Sequence, residues 1–373
     1  MRKLNLILMK PLGRSGSVFL HNLLDSHPEI ITIPIYFPFY YFWSLIDTTK
    51  SIEKIIDDYL NFSNLNFLFK ASKHGISDEL KIETNSGNTI FQINKSRYKE
   101  FILEEFYGLK KNENSKRASI LLALHLGYSK LMGGQANNER KYILLHEHYA
   151  YNYYFVKKDF PNFKDVVIYR NPYDSFSSYN KLSQKDKSIM YGINFISGIV
   201  SWHHNTKNSF LSYNKPFFLK IESINENLED NINNLCFYLN IKSDPTMYTP
   251  TISGFLSSTY KNSASTKKIK SRKYSISKRD KEIVKSLFDS ILLNYCESNN
   301  SLLIRKVYYI LVPSLESFLS INGFRRKVYY IITFSFLFKR LLFLSCLIKK
   351  KQASVPLFSK LFLIPYRKYF KNV

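Results

Sequence analysis

Four short apolar runs constrain this chain more than any other feature: Leu4–Met9, Tyr142–Leu145, Asp165–Tyr169 and Phe217–Ile221. Their length and near-continuous apolar character mark strands buried on both faces. Segments with helical spacing lie between and around them, at Val18–Asp25, Ser51–Leu60, Arg97–Tyr107, Arg117–Leu131, Asp174–Leu182, Gly192–Tyr213 and Glu229–Leu239. Strands alternating with helical segments predict an α/β fold: a central parallel sheet flanked by helices in three layers. The aromatic, proline-broken stretch Pro34–Trp43 is expected to be a packed loop, and Asn112–Lys116 a polar one. In sheets of this kind ligands bind beyond the carboxyl ends of the strands. Polar clusters follow the runs at those ends.

The first cluster is Gly13-Arg14-Ser15-Gly16-Ser17-Val18-Phe19, between a strand and a helix. Such a turn presents backbone N–H groups at a helix start, where they and the helix dipole attract an anion. Gly16 allows close backbone approach, and Arg14 can donate charge-assisted hydrogen bonds. Turns of this composition also serve purely structural roles. The Walker pattern G-x-x-x-x-G-K-[ST] is absent, which disfavours an ordinary ATP- or GTP-using P-loop protein.

Residues 13–20 resemble the 5′-phosphosulfate loop of sulfotransferases that use 3′-phosphoadenosine 5′-phosphosulfate (PAPS). In bacterial and Golgi members this loop often reads R-S-G-T-T-F-L and is followed by Leu-Asp-x-His-Pro, here Leu24-Asp25-Ser26-His27-Pro28. Ser17 and Val18 replace the two threonines, and Val18 lacks the hydroxyl. A second stretch, Val166-Val167-Ile168-Tyr169-Arg170-Asn171-Pro172-Tyr173-Asp174 through Ser178-Tyr179, is similar to the family's 3′-phosphate element. The resemblance implies that Arg170 and Ser178 grip one phosphate, and that Ser15, Gly16, Ser17, Val18 and Phe19 line the other phosphate site with Arg14. Asp174 is assigned a structural role in the first helical turn. Phe218-Leu219-Lys220-Ile221-Glu222 is similar to a later family stretch, and Lys261-Asn262-Ser263 looks like a late nucleotide-contacting segment. The likeness spans about Leu4 to Ser298 and implies a P-loop-like sulfotransferase domain over residues 1–300.

His146-Glu147-His148 ends the second apolar run and supplies candidate bases for deprotonating an acceptor hydroxyl. In cytosolic members of the family the catalytic histidine stands in a position that matches His148, although Tyr149-Ala150 replaces the usual Leu-Pro. Glu147 is the rival, since other branches use a glutamate, and His146 is the third candidate. Alternation along an extended segment points the two histidines one way and Glu147 the other. Arg14 aligns with the family's loop lysine and is expected to stabilise the departing 3′,5′-diphosphoadenosine. No metal is implied.

The chain carries 54 Lys/Arg against 29 Asp/Glu, a net +25, and +13 of this lies between Ser301 and Val373. There, apolar runs at Val328–Phe338 and Leu341–Ile348 are separated by Lys339-Arg340 and closed by three lysines. Both are shorter than the ~20 residues that span a bilayer. Residues 301–373 are therefore expected to form a basic, mostly helical extension, either packed on the core or lying on an anionic membrane surface. The three cysteines are scattered, which suits a reducing compartment, and the amino-terminal apolar run is shorter than a signal-peptide core, so a cytoplasmic location is expected. A glycan or glycolipid hydroxyl is the favoured acceptor, with Tyr36–Trp43 shaping its pocket; nucleic acid is not expected. A nucleotide or nucleoside kinase-like enzyme and a non-catalytic, membrane-associated nucleotide-binding protein are the alternatives.

Overall fold

The computed structural model describes residues 4–11, 15–62, 64–70, 80–109, 115–134, 139–147, 153–171, 173–175, 178 and 216–258. The expected helix Gly192–Tyr213, most of Asp174–Leu182 and the whole carboxyl-terminal extension lie outside these residues. The chain divides into two compact units, one of residues 1–175 with 197–273 and the other of 176–196 with 274–373. Ser178, helical and buried, is the described residue of the second unit.

Five parallel strands form the sheet of the first unit: β1 (Asn5–Pro11), β2 (Ile30–Ile31), β5 (Tyr142–His146), β6 (Lys164–Tyr169) and β7 (Phe217–Lys220), in the spatial order β2-β5-β1-β6-β7. The fold is α/β with a parallel sheet, as the alternation of runs predicts, and P-loop-like, as the resemblance implies. β1 is central, and the order reverses beside it. From β1 the chain crosses to β2 on one side, whereas from β6 it continues to β7 on the other. The carboxyl ends of β1 and β6 therefore flank the switch point, the position where open α/β sheets bind ligands.

Strand alternation divides the core between the two faces. Leu6 and Leu8 of β1 and Ile143 and Leu145 of β5 face one cluster, shared with α3 (Ile52–Phe62), α4 (Lys95–Gly108) and α5 (Lys116–Leu131). Ile7 and Met9 face the other, with Leu144, Val166 and Ile168, and are covered by α1 (Ser17–Leu24) and the later helices α7 (Ile221–Glu226) and α8 (Leu228–Leu239). Three of the helix starts carry a side-chain acceptor for an otherwise unpaired N–H group. Asn94 accepts from Arg97 N, Ser115 from Ala118 N and Asn227 from Asp230 N. α4 and α5 cross closely because Gly127 has no Cβ, which would stand 2.8 Å from Ile102 N.

Several local features differ from the sequence expectation. Phe39–Trp43 is a five-residue helix, α2, rather than a loop; Pro38 punctuates the segment only as the residue before the first turn. Its ring faces are mostly spent on the core: Phe37, Phe39 and Tyr40 are buried, and Phe39 stacks on Tyr59 at 4.9 Å between centroids. Two antiparallel hairpins, β3 (Lys81–Thr84) with β4 (Gly87–Ile90) and β8 (Thr251–Ile252) with β9 (Phe255–Leu256), stand outside the main sheet. A further α-helix among the described residues, α6 (Tyr153–Asp159), precedes β6.

Candidate functional site

The site begins at the end of β1. Gly16 occupies the left-handed region (φ 79°) as the residue before α1, and its carbonyl accepts from Phe19 N at 3.0 Å and Leu20 N at 3.4 Å. Two conditions demand glycine here. An L-residue resists that φ, and a Cβ would stand 2.7 Å from Ile221 Cγ1. Among the described residues no side chain caps α1, and no acidic residue sits in its first turn. The first N–H groups of a helix have no intrahelical partner, so this terminus keeps donors for an external anion. Ser15 is fully buried, and its Oγ has no hydrogen-bond partner among the described residues. A buried hydroxyl in that state costs about 1–3 kcal/mol unless something else satisfies it. Ser17 and Phe19 are buried and Val18 half-buried. Gly13 and Arg14 lie outside the described residues.

The Leu24–Pro28 ending is architectural. Asp25 is buried and accepts from Thr32 Oγ1 (2.6 Å), Thr251 Oγ1 (2.8 Å), Ser26 Oγ (3.3 Å) and Gly254 N (3.0 Å), so the far end of α1 is fastened to the β8–β9 turn. His27 Nδ1 accepts from Glu29 N (3.1 Å), which leaves Nε2 as the protonated nitrogen donating to Lys242 O (2.9 Å). These contacts fix the direction of the helix that starts after Gly16.

The second element starts where β6 ends. Pro11 of β1 is level with Ile168 of β6, so the loop after Pro11 and Arg170 leave the sheet side by side. Asn171 Oδ1 accepts from Tyr173 N at 3.0 Å, starting the helical turn that holds Tyr173, Asp174 and Ser175. Asp174 lies 4.0 Å from the Arg170 guanidinium. Asn171 N donates to Glu222 Oε1 at 2.8 Å. Glu222 closes an apolar run in the sequence without a role that the sequence assigns; its position follows from the β6–β7 register, in which Tyr169 is level with Lys220.

The third element is the end of β5. His146 and Glu147 are both buried, and Glu147 N donates to Met9 O at 2.9 Å, which continues the β1–β5 pairing past the strand. The His146 ring lies 5.1 Å from Tyr36 and 5.9 Å from His21 between centroids. Burial holds His21 below the ordinary imidazole range, opposed by Asp25 and by the bond to Ile33 O (2.9 Å). Burial above all raises the phenols of Tyr40 and Tyr59 far above the ordinary tyrosine value, and Glu147 is among the charges acting on both. His148 lies outside the described residues, as do Lys261, Asn262 and Ser263.

A buried ion pair joins β1 to β6. Lys10 Nζ stands 2.5 Å from Asp165 Oδ2, with 5% and 0% of the side chains exposed. Burial lowers the lysine below its usual value, while Asp165 pulls it back up. The two charges stand at the edges of apolar runs, Lys10 directly after Leu4–Met9 and Asp165 at the start of Asp165–Tyr169. A cleft lined by Lys81, Asn88, Thr89, Ile90 and Gln92 lies on the β3–β4 hairpin and holds none of the motif residues. Among the described residues no group of three or more His, Cys, Asp or Glu is placed to hold a metal ion, and no helix is long and apolar enough to cross a membrane.

No family model matches the sequence, and no match was found among curated proteins. Solved structures do match. The sulfotransferase domain from the curacin biosynthetic pathway is 16% identical, with 76% of this chain and 97% of that one covered and a TM-score of 0.36. Sulfotransferase STF9 from Mycobacterium avium is 9% identical over 79% and 78%, with a TM-score of 0.43. The sulfotransferase domain of the Synechococcus PCC 7002 olefin synthase is 14% identical over 87% and 98%, with a TM-score of 0.37. At such scores the likeness decides nothing about chemistry; the residues of the site must.

Proposed function

We propose that this chain is a PAPS-dependent sulfotransferase. One observation carries the reading: the uncapped, glycine-started helix after β1 and the arginine after β6 leave adjacent parallel strands at the switch point of the sheet. A nucleotide bearing phosphates at both its 5′ and 3′ positions needs two such anion sites side by side. The buried Ser15 hydroxyl, unpartnered among the described residues, fits an anionic oxygen at the first. Backbone N–H groups of residues 15–18, the Ser15 and Ser17 hydroxyls and Arg14 would hold the 5′-phosphosulfate. Arg170 with Ser178 would hold the 3′-phosphate, and Lys261, Asn262 and Ser263 would add contacts.

The chemistry is in-line displacement at sulfur. The acceptor oxygen forms the new S–O bond as the bond from sulfur to the 5′-phosphate oxygen breaks. His148 takes the acceptor proton, with Glu147 as the alternative base and His146 as the third candidate. Arg14 stabilises charge on departing 3′,5′-diphosphoadenosine. The acceptor is a glycan or glycolipid hydroxyl, and the basic extension 301–373 brings the enzyme to the anionic cytoplasmic face of a membrane. Co-sedimentation with anionic liposomes at low salt should be lost on truncation after Asn300; equal behaviour of both forms removes the membrane proposal.

The test of the central reading is a thermal shift. Ligand at 100 times its Kd stabilises the folded state by about 2.7 kcal/mol. 3′,5′-Diphosphoadenosine should raise the melting temperature while ATP at the same concentration does not, and labelled sulfate should then move from PAPS to a glycan or lipid acceptor. Stabilisation by ATP alone would point to a kinase-like enzyme instead.

A further inference from the structure

The β7–α7 junction touches both anion-binding elements at once. Ile221 packs against Gly16, so closely that a Cβ on the glycine would stand 2.7 Å from Ile221 Cγ1. The next residue, Glu222, takes the backbone N–H of Asn171 on Oε1 at 2.8 Å, one position beyond Arg170. Two consecutive residues thus meet the Gly16 loop on one side and the base of the Arg170 clamp on the other. Glu222 is the more informative of the two. Its Oε2 is buried and has no hydrogen-bond partner among the described residues, so the bond to Asn171 N is the contact that the carboxylate makes at this junction. A carboxylate also sits uneasily near a site for a polyanion. Anchoring the peptide that orients Arg170 accounts for its presence there.

We infer that Glu222 is a positioning residue for the 3′-phosphate clamp: by fixing the Asn171 N–H it aims the Arg170 guanidinium, and so sets selectivity for nucleotides that carry a 3′-phosphate. The inference rests on the proposed nucleotide site. Glu222 touches neither reacting atom nor nucleotide; it acts through Arg170. The Asn171 N–H needs an acceptor at the right reach, not a charge. Glutamine at position 222 should therefore preserve the function, alanine should abolish it, and aspartate, one methylene shorter, should weaken it.

The experiment is calorimetric titration of the full chain and its variants with 3′,5′-diphosphoadenosine and, separately, with adenosine 5′-monophosphate. The wild type should prefer the first ligand. Glu222→Ala should weaken 3′,5′-diphosphoadenosine about tenfold, on the order of one charge-assisted hydrogen bond lost, and leave the monophosphate within about twofold. Glu222→Gln should return to within about threefold of wild type. Should Glu222→Ala not fold, Glu222→Asp gives the same comparison, with a preference reduced at least threefold. If the wild type has no preference for the 3′-phosphate, the nucleotide-site reading itself falls and this inference with it. If the wild type prefers it and the alanine or aspartate variant keeps that preference, or loses both ligands equally, the positioning role alone is refuted.

Discussion

Replacing Gly16 by alanine should be among the most damaging single-methyl additions to this protein. The backbone there has φ 79°, a conformation that costs an L-residue about 1–2 kcal/mol. The added Cβ would meet Ile221 Cγ1 at 2.7 Å and Cδ1 at 3.1 Å. Ile221 is 4% exposed in the core beside Ile224, so its side chain has little room to turn away. Overpacking of this kind costs about 1–3 kcal/mol. Together the two effects put the loss at about 2–5 kcal/mol, measurable as a lower urea midpoint at constant m-value. The two parts separate in a double-mutant cycle with Ile221→Ala. Removing Cγ1 and Cδ1 relieves the clash but not the φ strain, so the pair should couple by about 1–2 kcal/mol, the double variant being more stable than additivity allows. Gly16→Ala should also weaken 3′,5′-diphosphoadenosine beyond its effect on stability, because the helix N–H groups shift from the anion. A stability loss below about 0.5 kcal/mol, or strict additivity in the cycle, would refute the packing argument.

Arg170→Ala should weaken 3′,5′-diphosphoadenosine by ~1.5–3 kcal/mol and leave adenosine 5′-phosphosulfate, which lacks the 3′-phosphate, unaffected; equal wild-type affinity for the two ligands would count against the clamp. His148→Ala should cut turnover by roughly 10²–10⁴ with nucleotide affinity nearly intact, and activity retained there but abolished in Glu147→Gln would move the base to Glu147. His125 should make stability depend on pH. Burial above all lowers its pKa from 6.5 to about 4, against the pull of its two carbonyl neighbours, Leu121 O and Leu144 O. The unfolded state then binds more protons between those values, so the stabilisation is complete above about pH 6.5 and is lost as the pH falls toward 4, by about 3 kcal/mol in all. Urea midpoints at pH 7 and pH 4.5 should differ more in the wild type than in His125→Gln, and identical differences would rule the histidine out as the source.

The parallel sheet was legible because β1, β5 and β6 are buried on both faces and so read as nearly unbroken apolar runs, as Leu6–Met9 and Val166–Ile168 do. β2 was not, since Ile30–Ile31 is two residues long and inherits its place from β5. The β3–β4 hairpin was hidden for the opposite reason. It is largely exposed, only Ile82 is buried within its strands, and no apolar alternation marks it. At the site, Gly16 and Arg170 could be picked out because turn chemistry and strand ends are local features. The role of Glu222 could not, because it depends on which strand lies beside β6 and in what register. The Lys10–Asp165 pair falls between the two cases: both charges are conspicuous, but only the β1–β6 neighbourhood turns them into partners.

Placing the first strand at the centre of the sheet has a consequence for synthesis. β1 leaves the ribosome early, yet both of its hydrogen-bonding neighbours, β5 and β6, are encoded far downstream, with Ile7 level with Lys164. At roughly 5–20 residues per second, the second edge of β1 waits about 8–30 s for its partner. The far end of α1 waits longer still for two of the four donors to Asp25, Thr251 Oγ1 and Gly254 N. Throughout that interval β1 lacks both of its hydrogen-bonding neighbours, and the far end of α1 lacks the turn that fastens it. The Gly16 turn likewise meets Ile221 only after β7 has been made, and the nascent β1 depends on staying unpaired until its neighbours arrive.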